Sequence, residues 1–283
     1  MFRPLNSSST TQLLNIIGKN KSNLGRSLEK IASGRRLNRA GEDAAANAIA
    51  TQLRSDIRAL SQATRNVGAG TNFIRSTEGG LSTISDLVAR GRELSLQAAN
   101  GTLGDTERQT LNAEFSQIKS EIDRISASSE FNGQKLLDGS LSPQSATQVD
   151  IQAGIGSGPE NQINLNVVES TDTESLGIDG TDISTAEGAR QALGDLDQAS
   201  ATITAARGEI GAVANRLVTT SNNLGTTIEN LTRSESALAD TDLAEEISTL
   251  QRGLVLTKTS LKTLALALKQ NEQATGRLIN FRV

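Results

Sequence analysis

The chain has 283 residues, 36% of them hydrophobic, with 28 basic against 32 acidic groups, and it contains no Cys, His, Trp or Tyr. These absences remove zinc fingers, haem ligation, disulfides, thiol nucleophiles and the Ser-His-Asp relay, so any catalysis would rest on carboxylates, lysines and hydroxyls. A net charge of −4 and 2% aromatic residues argue against nucleic acid as a partner, and no apolar run approaches the ~20 residues that cross a bilayer.

The first residues lead into Ser and Thr rather than an apolar segment, so no secretory signal peptide is expected. Leu13, Ile17, Leu24, Leu28 and Ile31 then give one apolar stripe at helical spacing, which Gly34 and Gly41 interrupt. Eight basic residues against three acidic ones through residue 45 read as a solvated or subunit-facing helix side, because no aromatics accompany them. A long helix is predicted from about residue 43 to 99. Its heptad row is Leu53, Leu60, Val67, Ile74, Leu81 and Val88, and the stripe is expected to weaken at polar Ser95. Asn100 to Gly104 supply the stop, and Thr106 with Gln109 is the expected cap of the next helix. That helix carries Leu111, Phe115, Ile118, Ile122 and Ile125 on one face.

Residues 131–183 change character, with one basic residue, Lys135, against eight acidic ones. Val149, Ile151 and Ala153 alternate with polar residues, as do Ile163, Leu165 and Val167, which predicts a β-hairpin across the Gly-rich 154–161 stretch. Gly154-Ile155-Gly156-Ser157-Gly158 is read as its turn and not as a phosphate loop, since Pro159 follows and no Gly-Lys-Ser/Thr triplet is present. A lone hairpin is marginal in water, so it should pack on the helices near the end where the chain reverses.

The strongest periodicity follows. Every seventh residue from Ala189 is apolar: Leu196, Ile203, Ile210, Leu217, Leu224, Leu231 and Leu238, a run with a chance probability of roughly 3 in 10,000. Small residues Ala192, Ala199 and Ala206 run beside it. Ser184 with Glu187 is the expected capping box of a helix about 80 Å long at 1.5 Å per residue. Asp242 with Glu245 restarts the chain as a last helix, and the acids around them read as caps favoured by the helix dipole. That helix carries Ile247, Leu250, Leu254, Leu261, Leu264 and Leu268. The fold class is therefore mainly α: a long antiparallel helical bundle or coiled-coil rod with a small β-hairpin region and amphipathic terminal helices. The expected domains are 1–42 with 240–283, 43–130 with 184–239, and 131–183 as an insert. Even paired, the two terminal helices leave apolar surface for neighbouring copies, which points to self-assembly. No catalytic constellation, metal site or cofactor is expected. A monomeric coiled-coil adaptor or secretion chaperone, with ordered termini and no polymer, is the competing class.

Ser33-Gly34-Arg35-Arg36-Leu37-Asn38-Arg39-Ala40-Gly41-Glu42-Asp43-Ala44-Ala45 resembles a characteristic segment of the bacterial flagellins. Similar blocks are Arg90-Gly91-Arg92-Glu93-Leu94, Glu121-Ile122-Asp123-Arg124-Ile125, residues 131–139 beginning Phe131-Asn132-Gly133, and Glu235-Ser236 with Asp240-Thr241-Asp242-Leu243-Ala244-Glu245-Glu246. The resemblance covers about four fifths of the chain and implies an extracellular filament subunit that polymerises with itself for motility. It also implies terminal helices lining an inner tube, and export as an unfolded chain without a cleaved signal peptide. Implied partners are the flagellar export apparatus, a secretion chaperone, and hook-associated and cap proteins. Arg90, Leu94 and Glu114 match positions recognised by a Toll-like innate receptor, although Ala89 and Gly91 replace the bulkier residues often found there. The large variable outer domains of the family are missing. The start, Pro4-Leu5-Asn6, and the finish, Lys258, Lys262, Lys269 and Asn280-Phe281-Arg282-Val283, depart from the family pattern and leave a minor flagellin or hook-filament junction protein as the alternative.

Overall fold

The computed structural model describes residues 7–39 and 41–280, with side-chain surroundings for 10–39, 41–270 and 272–273. Pro4 to Asn6, Ala40 and Phe281 to Val283 lie outside the described residues. The chain is mainly helical, with α1 (Ser7–Ser33), α2 (Ala44–Ala98), α3 (Asp105–Ser128), α4 (Ala186–Ala239) and α5 (Leu243–Asn280). Two antiparallel hairpins, β1 (Glu130–Phe131) with β2 (Gln134–Lys135) and β3 (Asp150–Gln152) with β4 (Gln162–Asn164), are the only sheets among the described residues. Among the described residues no helix is long and apolar enough to cross a membrane. Contacts divide the chain into two compact units, Met1–Ser55 with Asn230–Val283, and Asp56–Glu229.

In the second unit α2, α3 and α4 bury their heptad rows together. Leu60, Val67, Ile74, Leu81 and Val88 of α2 meet Ile203, Ile210, Leu217 and Leu224 of α4 in a continuous core, joined by Phe115, Ile118, Ile122 and Ile125 of α3. The row on α2 does not weaken at Ser95. That residue is fully buried, its hydroxyl donating to the Gly91 carbonyl 2.8 Å away, so a polar residue continues the seam at no hydrogen-bonding cost. Arg207 pairs with Glu78 at 2.7 Å and Arg92 with Asp197 at 2.7 Å, which fixes α4 antiparallel to α2. At Gly91 an added Cβ would lie 3.0 Å from Phe115 and 3.5 Å from Leu196. Three helices converge there, so a larger side chain would have to displace the Phe115 ring.

The helix starts differ from expectation in two places. Thr185, not Ser184, caps α4, its Oγ1 accepting the Gly188 N–H at 3.0 Å, while the Ser184 N–H is taken by Asp182. Asp182 is held below the ordinary aspartate range by the Ser184 hydroxyl and N–H, against an opposing effect of burial. Thr106 does not cap α3. The N-cap is Gly104, without a side-chain bond, and the corner is held from inside by buried Arg108, whose guanidinium donates to the carbonyls of Ala98 at 2.9 Å and Asn100 at 3.0 Å. The Ala98 carbonyl is an acceptor left over at the α2 C-terminus, and that of Asn100, which also accepts the Leu103 N–H, lies just beyond it; a cation sits here at the negative end of the helix dipole.

Residues 131–183 wrap the three helices and contribute Leu136, Leu137, Leu141, Leu165, Val168, Leu176, Ile178 and Ile183 to the core. The predicted hairpin is present, with Ile151 opposite Ile163. It rests on the middle of α2, where Gly70 would place a Cβ 3.0 Å from Ile151 and the Asn66 amide donates to the Gln152 carbonyl, and not at the reversal. Past Leu165 the alternation breaks at buried Asn166, so Val168 takes the buried place expected of Val167. The β1–β2 hairpin was not expected. Asn132 (φ 51°) and Gly133 (φ 81°) form its two-residue left-handed turn, and Phe131 packs edge-on against Phe73 at 5.8 Å. Asp123 accepts both the N–H and the hydroxyl of Thr173, and Lys119 donates to the Asp179 and Thr181 carbonyls, tying the segment to α3.

Replacing Arg108→Met should lower the unfolding free energy by about 1–3 kcal/mol, since two carbonyls lose a charged donor. Urea unfolding followed by circular dichroism measures it; an unchanged midpoint and slope would mean that the corner does not depend on the guanidinium.

Candidate assembly surface

The first unit is organised by a short bridge between the chain leaving α1 and the chain leaving α4. Gly34 ends α1 in the left-handed region (φ 67°), where a residue without a Cβ carries no strain. The Arg36 N–H donates to the Ala239 carbonyl at 2.7 Å, the Thr241 N–H to Gly34 at 3.0 Å, and the Arg36 side chain to Leu238 at 2.6 Å. Asp242 then caps α5 through the N–H groups of Ala244 and Glu245, as the sequence predicts. Glu42 accepts the N–H groups of Asn38 and Arg39, and Asp43 caps α2 through the Ala46 N–H. Arg54 of α2 pairs with Glu235 of α4 in a half-buried contact.

This bridge sets α1 and α5 antiparallel. On α1 the residues turned inward are Leu13, Ile17, Asn20, Leu24, Ser27 and Ile31; on α5 they are Leu250, Gly253, Thr257, Ser260, Leu264 and Ala267. Both sets alternate steps of three and four, the spacing of a coiled-coil seam. Small or polar residues fill half of these positions, most of them on α5, and Leu24 reaches 3.4 Å from where a Gly253 Cβ would be. Among the described residues α1 and α5 are the one helix pair whose Cα atoms approach within 8 Å along their length. A surface groove of about 280 Å³ runs beside Leu24, Ser27 and Gly253.

The large apolar residues are mostly elsewhere. Leu254, Leu261 and Leu268 each stand one position past a seam residue of α5, Ile247 stands one past half-buried Glu246, and all four remain 44–50% exposed. Leu28 is also exposed, whereas Leu13, Ile17, Leu24, Ile31, Leu250 and Leu264 are half-buried. The sequence missed Leu14, Ile16, Val255, Leu256 and Leu266, which are exposed on the same two helices. Their signal was available in the heptad frame, as leucines and isoleucines off the seam positions. Scattered exposed leucines are ordinary on a protein surface; a repeating row on paired helices is not.

Arg90 and Glu114 are brought together on the surface of the second unit, 2.8 Å apart, with Glu93 3.0 Å from the same guanidinium. The bond to Glu114, then that to Glu93, raises the Arg90 pKa further above its ordinary value. Leu94 does not join them. It is 1% exposed, in the core behind the pair.

The family profile of the bacterial flagellin N-terminal helical region matches residues 5–142, and that of the bacterial flagellin C-terminal helical region matches residues 193–279. The chain belongs to the bacterial flagellin family. It is 35% identical over 271 residues to the flagellar filament 30.7 kDa core protein of Treponema maltophilum, covering 93% of this chain and 94% of that one. It is 36% identical over 289 residues to flagellin of Bacillus subtilis, covering 91% and 93%. A solved structure described as a flagellar hook-associated protein from Vibrio parahaemolyticus shares the fold, with a TM-score of 0.57, 17% identity, and coverage of 70% of this chain and 100% of that one. As a flagellin, the chain is a structural subunit of the bacterial flagellar filament.

The Glu42 carboxyl is held below the ordinary glutamate range, first by the Asn38 N–H, against burial, and with help from the Arg39 N–H and the charges of Lys30 and Arg39. A depressed carboxyl pKa stabilises the folded state above the ordinary value, and that contribution is lost as pH falls through the lowered one. Glu42→Gln should therefore melt below the parent chain at neutral pH, and the gap should close as pH drops below the ordinary glutamate range. Melting curves across pH measure it; a gap of constant size down to strong acid would contradict the assignment.

Proposed function

We propose that the chain polymerises by burying the exposed apolar rows of α1 and α5 against neighbouring copies. The observation that carries this is the row Ile247, Leu254, Leu261 and Leu268, left half outside although a partner helix lies alongside. Fully burying such a side chain is worth roughly 1.5–3 kcal/mol, so the exposed half of four of them holds roughly 3–6 kcal/mol per copy. The terminal helices, residues 1–42 and 240–283, would then form the inner part of the filament. Residues 43–130 and 184–239 would form the outer part, carrying 131–183 as an insert. Catalysis has no part in this function, and no cofactor is needed.

The same proposal includes export as an unfolded chain by the flagellar export apparatus, without a cleaved signal peptide and with a secretion chaperone. Hook-associated and cap proteins would meet the filament at its ends. Detection by a Toll-like innate receptor would use the exposed Arg90 and Glu114 pair, with Leu94 supporting α2 from behind.

Two outcomes test it. Leu261→Asp should abolish filament formation in electron micrographs of seeded solutions while α2 and α4 stay helical by circular dichroism; normal filaments from that variant would remove the basis for the proposal. Charge supplies the second. The Met1–Ser55 with Asn230–Val283 unit holds 16 basic against 9 acidic residues, so approaching terminal helices repel one another. Salt screens that repulsion over about 10 Å at 0.1 M, and seeded elongation should speed up from low to moderate ionic strength. Elongation that slows with salt would instead mean that opposite charges meet in the interface.

A further inference from the structure

The sequence contains two Asn-Gly pairs, Asn100-Gly101 and Asn132-Gly133, and the structure treats them differently. Asn100 is exposed, just past the end of α2, and its Oδ1 accepts the Thr102 N–H at 3.2 Å. The Gly101 N–H has no hydrogen-bond acceptor among the described residues, and nothing lies within 4 Å of where a Gly101 Cβ would be. Asn132 and Gly133 are equally exposed and open, and what sets them apart is that both lie in the left-handed region, in the turn closed by the pairing of Phe131 with Gln134.

We propose that Asn100 is a self-modification site, at which the chain converts its own asparagine to isoaspartate or aspartate with water as the only co-reactant. The Gly101 nitrogen, giving its proton to solvent, forms a bond to Cγ of Asn100. Charge develops on Oδ1, where the Thr102 N–H already donates, in the manner of an oxyanion donor. The Cγ–Nδ2 bond then breaks and ammonia leaves, having taken up a proton, which yields a five-membered succinimide. Water adds to one of the two ring carbonyls and opens the ring. Attack at Cγ gives aspartate, and attack at the main-chain carbon gives isoaspartate. No oxidant or reductant enters. Glycine is the residue that admits the reaction, because a side chain on the attacking residue would crowd the approach to Cγ.

At Asn132 the same closure requires rotating the backbone until the Gly133 nitrogen faces Cγ, which would break the β1–β2 pairing. The surroundings of Asn100 accommodate its product. The Asn100 carbonyl oxygen that Arg108 holds at 3.0 Å becomes, in isoaspartate, an oxygen of a free carboxylate. Arg108 then keeps its partner as an ion pair, and the α2–α3 corner gains one negative charge as the subunit ages.

The test is incubation of the full-length chain in mildly alkaline buffer, with peptides followed by mass spectrometry and isoaspartate detected by enzymatic methylation. The Asn100 peptide should gain about one mass unit, mostly as isoaspartate, about tenfold faster than the Asn132 peptide. Gly101→Ala, which the open space and unstrained backbone accept, should suppress the change at Asn100 and leave Asn132 and the melting curve unaltered. Equal rates at the two asparagines, or an unchanged rate in the Gly101→Ala chain, would overturn the proposal.

Discussion

The close approach of α1 and α5 is the constraint on which the rest of this structure depends. Two helices whose seam positions include Asn20, Ser27, Gly253, Thr257 and Ser260 come nearer than leucine-filled helices can, but they bury little apolar surface in doing so. The leucines and isoleucines of α5 are consequently displaced to the flank of the seam. A helix pair built this way is ordered by its geometry and left short of burial, which is the physical condition for a surface that is completed by other copies. The bridge at Gly34, Arg36, Ala239 and Thr241 fixes the two helices antiparallel before any neighbour is present.

The Asp56–Glu229 unit shows the opposite arrangement. Its heptads put Leu, Ile and Val on the seam, so α2, α3 and α4 satisfy themselves and need no second copy to bury their core. Several buried polar groups inside it have partners within the unit: Ser95 the Gly91 carbonyl, Arg108 the Ala98 carbonyl, Thr173 the Asp123 carboxylate. Residues 131–183 add a coat of side chains in place of a further globular domain. The same heptad periodicity thus gives a self-sufficient bundle where the seam is large and apolar, and an incomplete one where half of the seam is small or polar.

Sequence periodicity made much of this legible. The rows from Leu60 to Val88 and from Ala189 to Leu224 are buried as a seven-residue repeat dictates, and the alternation around Ile151 and Ile163 gave the second hairpin. The first hairpin escaped because two-residue strands are too short to alternate, even though Asn132-Gly133 is a known turn pair. The cap at Ser184 differs because the adjacent Thr185 hydroxyl competes for it, and the one at Thr106 because α3 starts earlier, at Gly104, with no side-chain cap. Leu94 lies among charged residues in sequence, yet a third helix widens the buried face of α2 and encloses it. Counting large apolar residues likewise found the rows on α5 but not their orientation, since the smallest side chains decide which face a partner helix approaches.

Amide hydrogen exchange of the monomer and of the assembled filament tests the central claim most directly. If the terminal pair is completed by neighbours, protection should rise sharply along α1 and along α5 on assembly, while the amides of residues 56–229 in the core of their own unit change little. Protection of α1 and α5 that is already full in the monomer, or a gain confined to residues 56–229, would contradict it.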